Sequence, residues 1–268
     1  MSAVTTLPNG AANHWADAKC AKAFWSQSEL PVFHALTADT LAAAYPNASA
    51  ATGRRVLDLG CGGGTLTRGL WERSGGTVGG ILGVDYAAAN AQRYDKLAAE
   101  LNAGDRIRFE VVNFSRGLPT LADATFDCVV SGLSITYAEY YDEAERRWTQ
   151  QAYDGLFHEV FRVLKPGGRF AFSVNVPNPS WWTVGLKSFF GALRASPKPL
   201  RLLKNLNRMN RYGRWLKQEA DKGRFHYLPA DEVTAKLAAA GFAGIGRQLG
   251  YAGQAFVFHA DKPDAEAA

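Results

Sequence analysis

The sequence predicts an α/β fold with a mostly parallel sheet covered on both faces. Three observations carry this reading. Short apolar runs alternate with helix-like runs from Arg54 to Val176. The first apolar run, "RRVLDLG", passes straight into a glycine cluster and then into a helix-like stretch. The chain closes on two strand-like runs, "GIGRQLGYA" and "GQAFVFHAD", with a tight glycine-containing connection. Strands buried on both faces read as continuous apolar runs, and the crossovers between them are right-handed. Two adjacent terminal strands read as a hairpin at the sheet edge.

Each element follows in order. Residues Trp15 to Tyr45 are alanine-rich with apolar residues at helical intervals, and Pro31 starts a second helix there. "RRVLDLG" is the first strand and "LTRGLWERS" the helix after it. "GILGVDY" is the second strand, followed by the helix "AAANAQRYDKLAAEL". "IRFEVVNF" and "FDCVVSGL" are the third and fourth strands. "RRWTQQAYDGLFHEVFRVL" reads as one long amphipathic helix, stopped by Lys165-Pro166-Gly167-Gly168. "RFAFSVNV" is the fifth strand. A basic, aromatic stretch interrupts the pattern, and the helix "PADEVTAKLAAAGF" precedes the closing hairpin. This divides the chain into an N-terminal helical cap (1–50), a core (51–176), a helical insertion (177–226), a completion of the core (227–260) and a loose tail (261–268).

The 268 residues are 47% hydrophobic and 21% charged, a globular balance. No run of about 18 apolar residues marks a membrane span, and the N-terminus lacks the basic start and apolar core of a signal peptide. Cys20, Cys61 and Cys128 are odd in number and scattered, which fits a reducing cytoplasm. No Cys or His cluster has metal-ligand spacing. Charge is unevenly placed. Residues 183–225 hold eleven bases and two acids, a local charge of +9, while the whole chain carries only +5.

The glycine loop "LGCGGGT" is the main chemical signal. A triphosphate loop needs a lysine after its last glycine, and here Thr65 and Leu66 follow Gly64. A dinucleotide loop needs glycine or alanine at the third position, which Thr65 occupies. Asp58, two residues before Gly60, would oppose a pyrophosphate attracted by the loop amides and the helix N-terminus. It suits a ligand with an ammonium or sulfonium group. Asp85 ends the second strand, where a carboxylate accepts from ribose hydroxyls. Tyr86 can lie against an adenine, the Asn113 amide oxygen can accept from an adenine amino group, and Phe114 can bound the base. For Tyr86 a packing role is an equal alternative, and for Phe114 taken alone a core role is the stronger one.

These residues resemble those of the class I S-adenosylmethionine-dependent methyltransferases. The matching stretches are "VLDLGCGGG", "ILGVD", "VVNF", "LPTLADATFDCVVSGLSITY" and "EVFRVLKPGGRFAFSV", roughly Arg54 to Val176. The last two are most similar to the branch acting on small molecules, including quinone-type acceptors. The resemblance implies a Rossmann-like, seven-stranded, mostly parallel sheet with a C-terminal antiparallel hairpin. It also implies S-adenosyl-L-methionine as cofactor, with contacts at Asp58, Gly60, Cys61, Gly62, Asp85, Tyr86, Asn113, Phe114 and the turn near Ser131. Asn113 departs from the family, which usually places Asp there; the acceptor oxygen is kept and the charge lost.

Methyl transfer needs alignment of the acceptor more than a catalytic group. The stretch after the fourth strand, "SITYAEYYDE", should border the methyl, so Tyr137, Glu139 and Tyr140 are the candidates to orient an acceptor. Glu139 could also take a proton, and Asn175 is placed to face the acceptor. A solvated loop is the competing reading. The acceptor is expected to be small and hydrophobic, lipid- or quinone-like. A cofactor-binding protein without turnover, serving as a regulator or partner subunit, is the alternative.

The insertion admits three readings. Trp182, Leu186, Phe189, Phe190 and Leu193 form one apolar stripe; Arg201, Lys204, Arg208 and Arg211 share one face of a second helix, and Leu202, Leu206, Met209 and Leu216 another. A lid with solvated bases ranks first. Contact of 183–222 with an anionic membrane surface ranks second. Nucleic-acid binding, with Trp181, Trp182 and Trp215 stacking bases, ranks last.

Overall fold

The computed structural model describes Trp15, residues 31–180, Thr183 and residues 213–264. The first predicted helix, apart from Trp15, and most of the basic insertion lie outside the described residues.

Seven strands form one sheet in the order β3-β2-β1-β4-β7-β9-β8. They are β1 (Arg55–Leu59), β2 (Gly80–Asp85), β3 (Ile107–Val111), β4 (Phe126–Gly132), β7 (Leu164–Asn175), β8 (Ala243–Gly250) and β9 (Ala255–Asp261). The pairs β1–β2, β1–β4, β2–β3 and β4–β7 are parallel, while β9 runs antiparallel to both β7 and β8. The closing hairpin therefore inserts its second strand beside β7 and leaves β8 at the edge. Its connection is a single turn at Tyr251–Gly253, with Tyr251 and Ala252 in the left-handed region.

Helices cover both faces: α1 (Pro31–Ala44), α2 (Thr65–Arg73), α3 (Ala91–Glu100), α4 (Gln151–Val163) and α5 (Ala230–Ala239). The two faces bury separate apolar clusters. Tyr153, Phe157 and Val160 of α4 meet Leu57, Val129, Phe170 and Phe172 on one side. Leu66, Leu70 and Trp71 of α2 meet Val56, Ile81 and Val130 on the other, where Leu41 and Ala44 of α1 join them. Alternation along β1 explains the split, since successive side chains point to opposite faces. The Phe170 and Phe172 rings stack at 4.3 Å, and Phe172 lies 5.3 Å from Phe258, so β7 and β9 share an aromatic ladder. Among the described residues, no helix is long and apolar enough to cross a membrane.

Two expectations fail. The loose tail expected from residue 261 begins too early, because Asp261 ends β9 and pairs with Arg169 at 2.7 Å, and the Lys262 backbone bonds to Gly167 and Gly168. The long helix expected from Arg146 starts only at Gln151. Arg147–Thr149 forms strand β6, paired antiparallel with β5 (Tyr140–Asp142). The Asp142 carboxylate accepts the backbone N–H groups of Ala144 and Glu145, closing the turn, and Trp148 packs edge-on against Tyr141 at 5.1 Å. Cross-strand aromatic packing and an Asx turn outweigh helical propensity here.

Candidate active site

The parallel strands end together, and the glycine loop lies at that edge. Gly60 has φ +68°, and a Cβ there would collide with the Ser134 side chain. The Ser134 hydroxyl donates at 2.8 Å to the Gly60 carbonyl and lies 2.9 Å from that of Gly132. The glycine is thus required both for its backbone and for close approach of the chain after β4. Leu133 also has positive φ, at 54°, a costly position for a branched side chain. Its N–H is held by the Ser173 carbonyl at 3.0 Å, which fixes the turn.

Asp58 is almost fully buried. Its Oδ2 accepts the Thr67 hydroxyl at 2.8 Å, the Thr67 N–H at 3.2 Å and the Tyr94 hydroxyl at 3.2 Å. Its Oδ1 is buried without a partner. Burial, reinforced by the nearby Asp85 charge, pushes the Asp58 carboxyl up to about 6, against the pull of the Thr67 and Tyr94 hydrogen bonds. Asp85 is also raised by burial. Its Oδ2 accepts the Gly62 N–H at 2.9 Å and its Oδ1 the Ala87 N–H at 2.8 Å, so it ties the glycine loop to the end of β2. Asn113 accepts the Ser115 N–H at 3.1 Å through Oδ1.

Asp58, Gly60, Cys61, Gly62, Asp85, Tyr86, Asn113, Phe114, Tyr137 and Glu139 all line one cavity of about 180 Å³. Phe33, Leu36, Thr37 and Thr40 of α1 close it from the opposite side, together with Trp15. Burial raises the Cys61 thiol well above its ordinary value, so it stands there as a small neutral side chain.

Three expected positions lie elsewhere. Ser131 is fully buried in β4, its hydroxyl donating to the Leu59 carbonyl at 2.8 Å, and Gly132, Leu133 and Ser134 supply that wall instead. The strand runs one residue past Ser131 before the chain turns. Tyr140 lies on β5, paired with Thr149 and exposed, outside the cavity lining. Asn175 is fully buried at the end of β7, its side-chain nitrogen and oxygen without partners, and it is not among the lining residues.

The sequence reading missed Arg224. Its side chain is 1% exposed and pairs with Glu139 and, at 2.8 Å, with Glu219. Its guanidinium also lies over Trp148, 5.1 Å from the ring centre. One arginine thereby joins the chain after β4, the β5–β6 hairpin and the helical residues 213–221. Around this joint, Trp15 meets Tyr137 at 5.0 Å, Trp215 at 5.8 Å and Phe225 at 5.8 Å. Apart from Arg224 with Glu219, these pairs are distant in sequence, so no spacing rule could mark them.

The family described as "Methyltransferase domain" matches residues 51–228. The sterol 24-C-methyltransferase of Eremothecium gossypii is 31% identical over 120 residues, covering 45% of this chain and 28% of that protein. The ubiquinone biosynthesis O-methyltransferase of Idiomarina loihiensis is 29% identical over 149 residues, covering 54% of this chain and 52% of that one. The chain thus spans between about a quarter and half of the length of these curated relatives. Among solved structures, one chain of a complex between the Haloferax volcanii Trm112 methyltransferase activator and a methyltransferase superposes with a TM-score of 0.61 at 18% identity, covering 93% of this chain and 97% of that one. An S-adenosylmethionine-dependent methyltransferase of Aquifex aeolicus gives 0.57 at 16% identity, covering 92% and 98%. With a seven-stranded sheet in this order and a family match over more than half its length, the chain belongs to the class I S-adenosylmethionine-dependent methyltransferases.

Proposed function

We propose that the protein transfers a methyl group from S-adenosylmethionine to a small, hydrophobic acceptor. The observation that carries this is the make-up of the cavity at the glycine loop. Asp58, Asp85 and the glycine loop line it together with the apolar and aromatic side chains of Phe33, Leu36, Trp15 and Tyr137.

The residues fit the cofactor. Asp58 Oδ1 is a buried carboxylate oxygen lacking a partner, which a cationic ammonium would satisfy. Asp85 accepts from Gly62 in the loop and from Ala87 after β2 and retains further acceptor capacity for ribose hydroxyls. Asn113 and Phe114 would bound the adenine. When bound, the cofactor supplies an electrophilic methyl. The protein then contributes alignment and exclusion of water, with α1 closing the cavity and Tyr137 orienting the acceptor. Glu139 is engaged by Arg224, so its proposed role is to hold Tyr137 and the chain after β4 in place.

The names of the relatives, a sterol and a ubiquinone-biosynthesis methyltransferase, support an apolar acceptor. For the insertion, the lid reading is favoured: in the described part, Leu216 is buried and Trp215 packs against Trp15 and Phe225. An acceptor screen tests the proposal, reading S-adenosylhomocysteine release with phenols, hydroquinones and sterols. Release with an apolar acceptor supports it. Cofactor binding with no release across the panel would favour a protein without turnover.

A further inference from the structure

A second cavity, of about 510 Å³, lies beside the β5–β6 hairpin, within the range of small-molecule sites. Trp148, Phe225, Tyr227, Leu228, Pro177 and Pro179 supply its apolar and aromatic part, and Thr149, Gln150 and Asp221 add polar groups. Two cations stand on its rim, and both are matched within the protein: Arg147 faces Glu145 at 3.6 Å, and Lys217 faces Asp221 at 3.5 Å. The cavity therefore favours a neutral occupant.

His226 also lines this cavity and is only 4% exposed. Its backbone N–H donates to the Thr136 carbonyl at 2.9 Å, while the ring Nε2 is buried with no partner. The hydroxyl of the neighbouring Tyr153, whose ring lies 5.3 Å away, is not bonded to it. Burial lowers the imidazole to about 4, so at neutral pH the ring is uncharged. On a neutral ring whose proton sits on Nδ1, Nε2 is a hydrogen-bond acceptor. A buried acceptor left unpaired is costly, and a ligand donor would remove that cost.

We propose that this cavity is a second binding site, for a neutral aromatic or alicyclic molecule carrying one hydroxyl, which donates to His226 Nε2 while the ring system lies against Trp148 and Phe225. The site is distinct from the cofactor cavity. Tyr137 lines the first cavity, and Phe225 and Tyr227 line the second. Tyr137 meets Phe225 at 5.1 Å and the Tyr227 hydroxyl at 3.5 Å, so one aromatic layer separates the two. The proposal stands on His226 and the second cavity and does not depend on methyl transfer.

The test is calorimetry on the full chain with 2-naphthol and with 2-methoxynaphthalene, which lacks the donor. S-adenosylhomocysteine is present at saturation to occupy the cofactor end of the first cavity. The naphthol should bind about tenfold more tightly than its methyl ether. His226→Phe should abolish that preference, and His226→Gln, which keeps an acceptor, should retain it. Trp148→Ala should weaken both probes, whereas Phe33→Ala, in the first cavity, should leave them unchanged. Equal affinity for the two probes, or a preference that survives His226→Phe, would overturn the assignment. So would loss of binding in Phe33→Ala with Trp148→Ala unaffected.

Discussion

Arg224 and Glu139 form a buried ion pair, 85 residues apart in sequence, between residues 213–228 and the chain after β4. Glu219 completes a triad around the same guanidinium. Removing the arginine takes the cation from between Glu139 and Glu219, of which Glu219 still meets Lys222 at 2.6 Å. Arg224→Met is expected to destabilise the fold by about 3–5 kcal/mol, the usual consequence of breaking a buried pair from one side. Glu139→Gln, which leaves Arg224 with Glu219, should cost less. Urea unfolding of the two variants checks the order; equal losses would show that Glu219 adds nothing.

Asp58 links stability to pH. Its carboxyl titrates at about 6 in the fold, against 3.8 ordinarily. A raised carboxyl pKa means that the folded state holds a proton after the unfolded chain has lost it. Its contribution to stability is therefore full below about pH 4 and is lost as pH rises through about 6. Asp58→Asn should be more stable than the parent at pH 7, by about 1–3 kcal/mol, with a flatter stability profile between pH 4 and 6. It should also bind S-adenosylmethionine more weakly. A variant no more stable at pH 7 would contradict the burial account of Asp58.

Cofactor affinity should follow the same titration. An ammonium group needs the ionised carboxylate, so affinity should rise from pH 5 to 7 with an apparent midpoint near 6, and binding below that midpoint should release a proton. Calorimetry in buffers of different ionisation enthalpy reads both. A flat profile would mean that Asp58 does not face the cation.

Gly60→Ala meets two obstacles, a φ of +68° and the Ser134 side chain. It should lower cofactor affinity at least about tenfold, because either the loop or the turn after β4 must shift. Adding Ser134→Gly removes the collision and should recover part of the affinity. No recovery would leave backbone conformation as the sole cause.

Much of the fold was legible because its signals are local. Apolar runs, the glycine loop and the stop after α4 mark each core element within a few residues. Asp58, Asp85 and Asn113 stood out because strand ends in a parallel sheet converge at one edge. The β5–β6 hairpin was not legible: Trp148 looks like part of a helix until Tyr141 is seen across from it. The apolar run gives no sign of where β4 stops, so the sequence points to a turn near Ser131 while the strand runs on to Gly132. Arg224 and His226 were hidden for a different reason. Their partners, Glu139 and Thr136, are local to each other but far from them along the chain. Only the fold of residues 213–228 back over β4 joins them.

The most direct test of the central claim is a calorimetric titration of the folded protein with S-adenosylmethionine, alongside Asp85→Ala. The account predicts saturable binding at one site, weakened at least about tenfold in the variant, which loses both the ribose acceptors and the tie to Gly62. No binding at millimolar cofactor by folded protein, or unchanged affinity in Asp85→Ala, would contradict it.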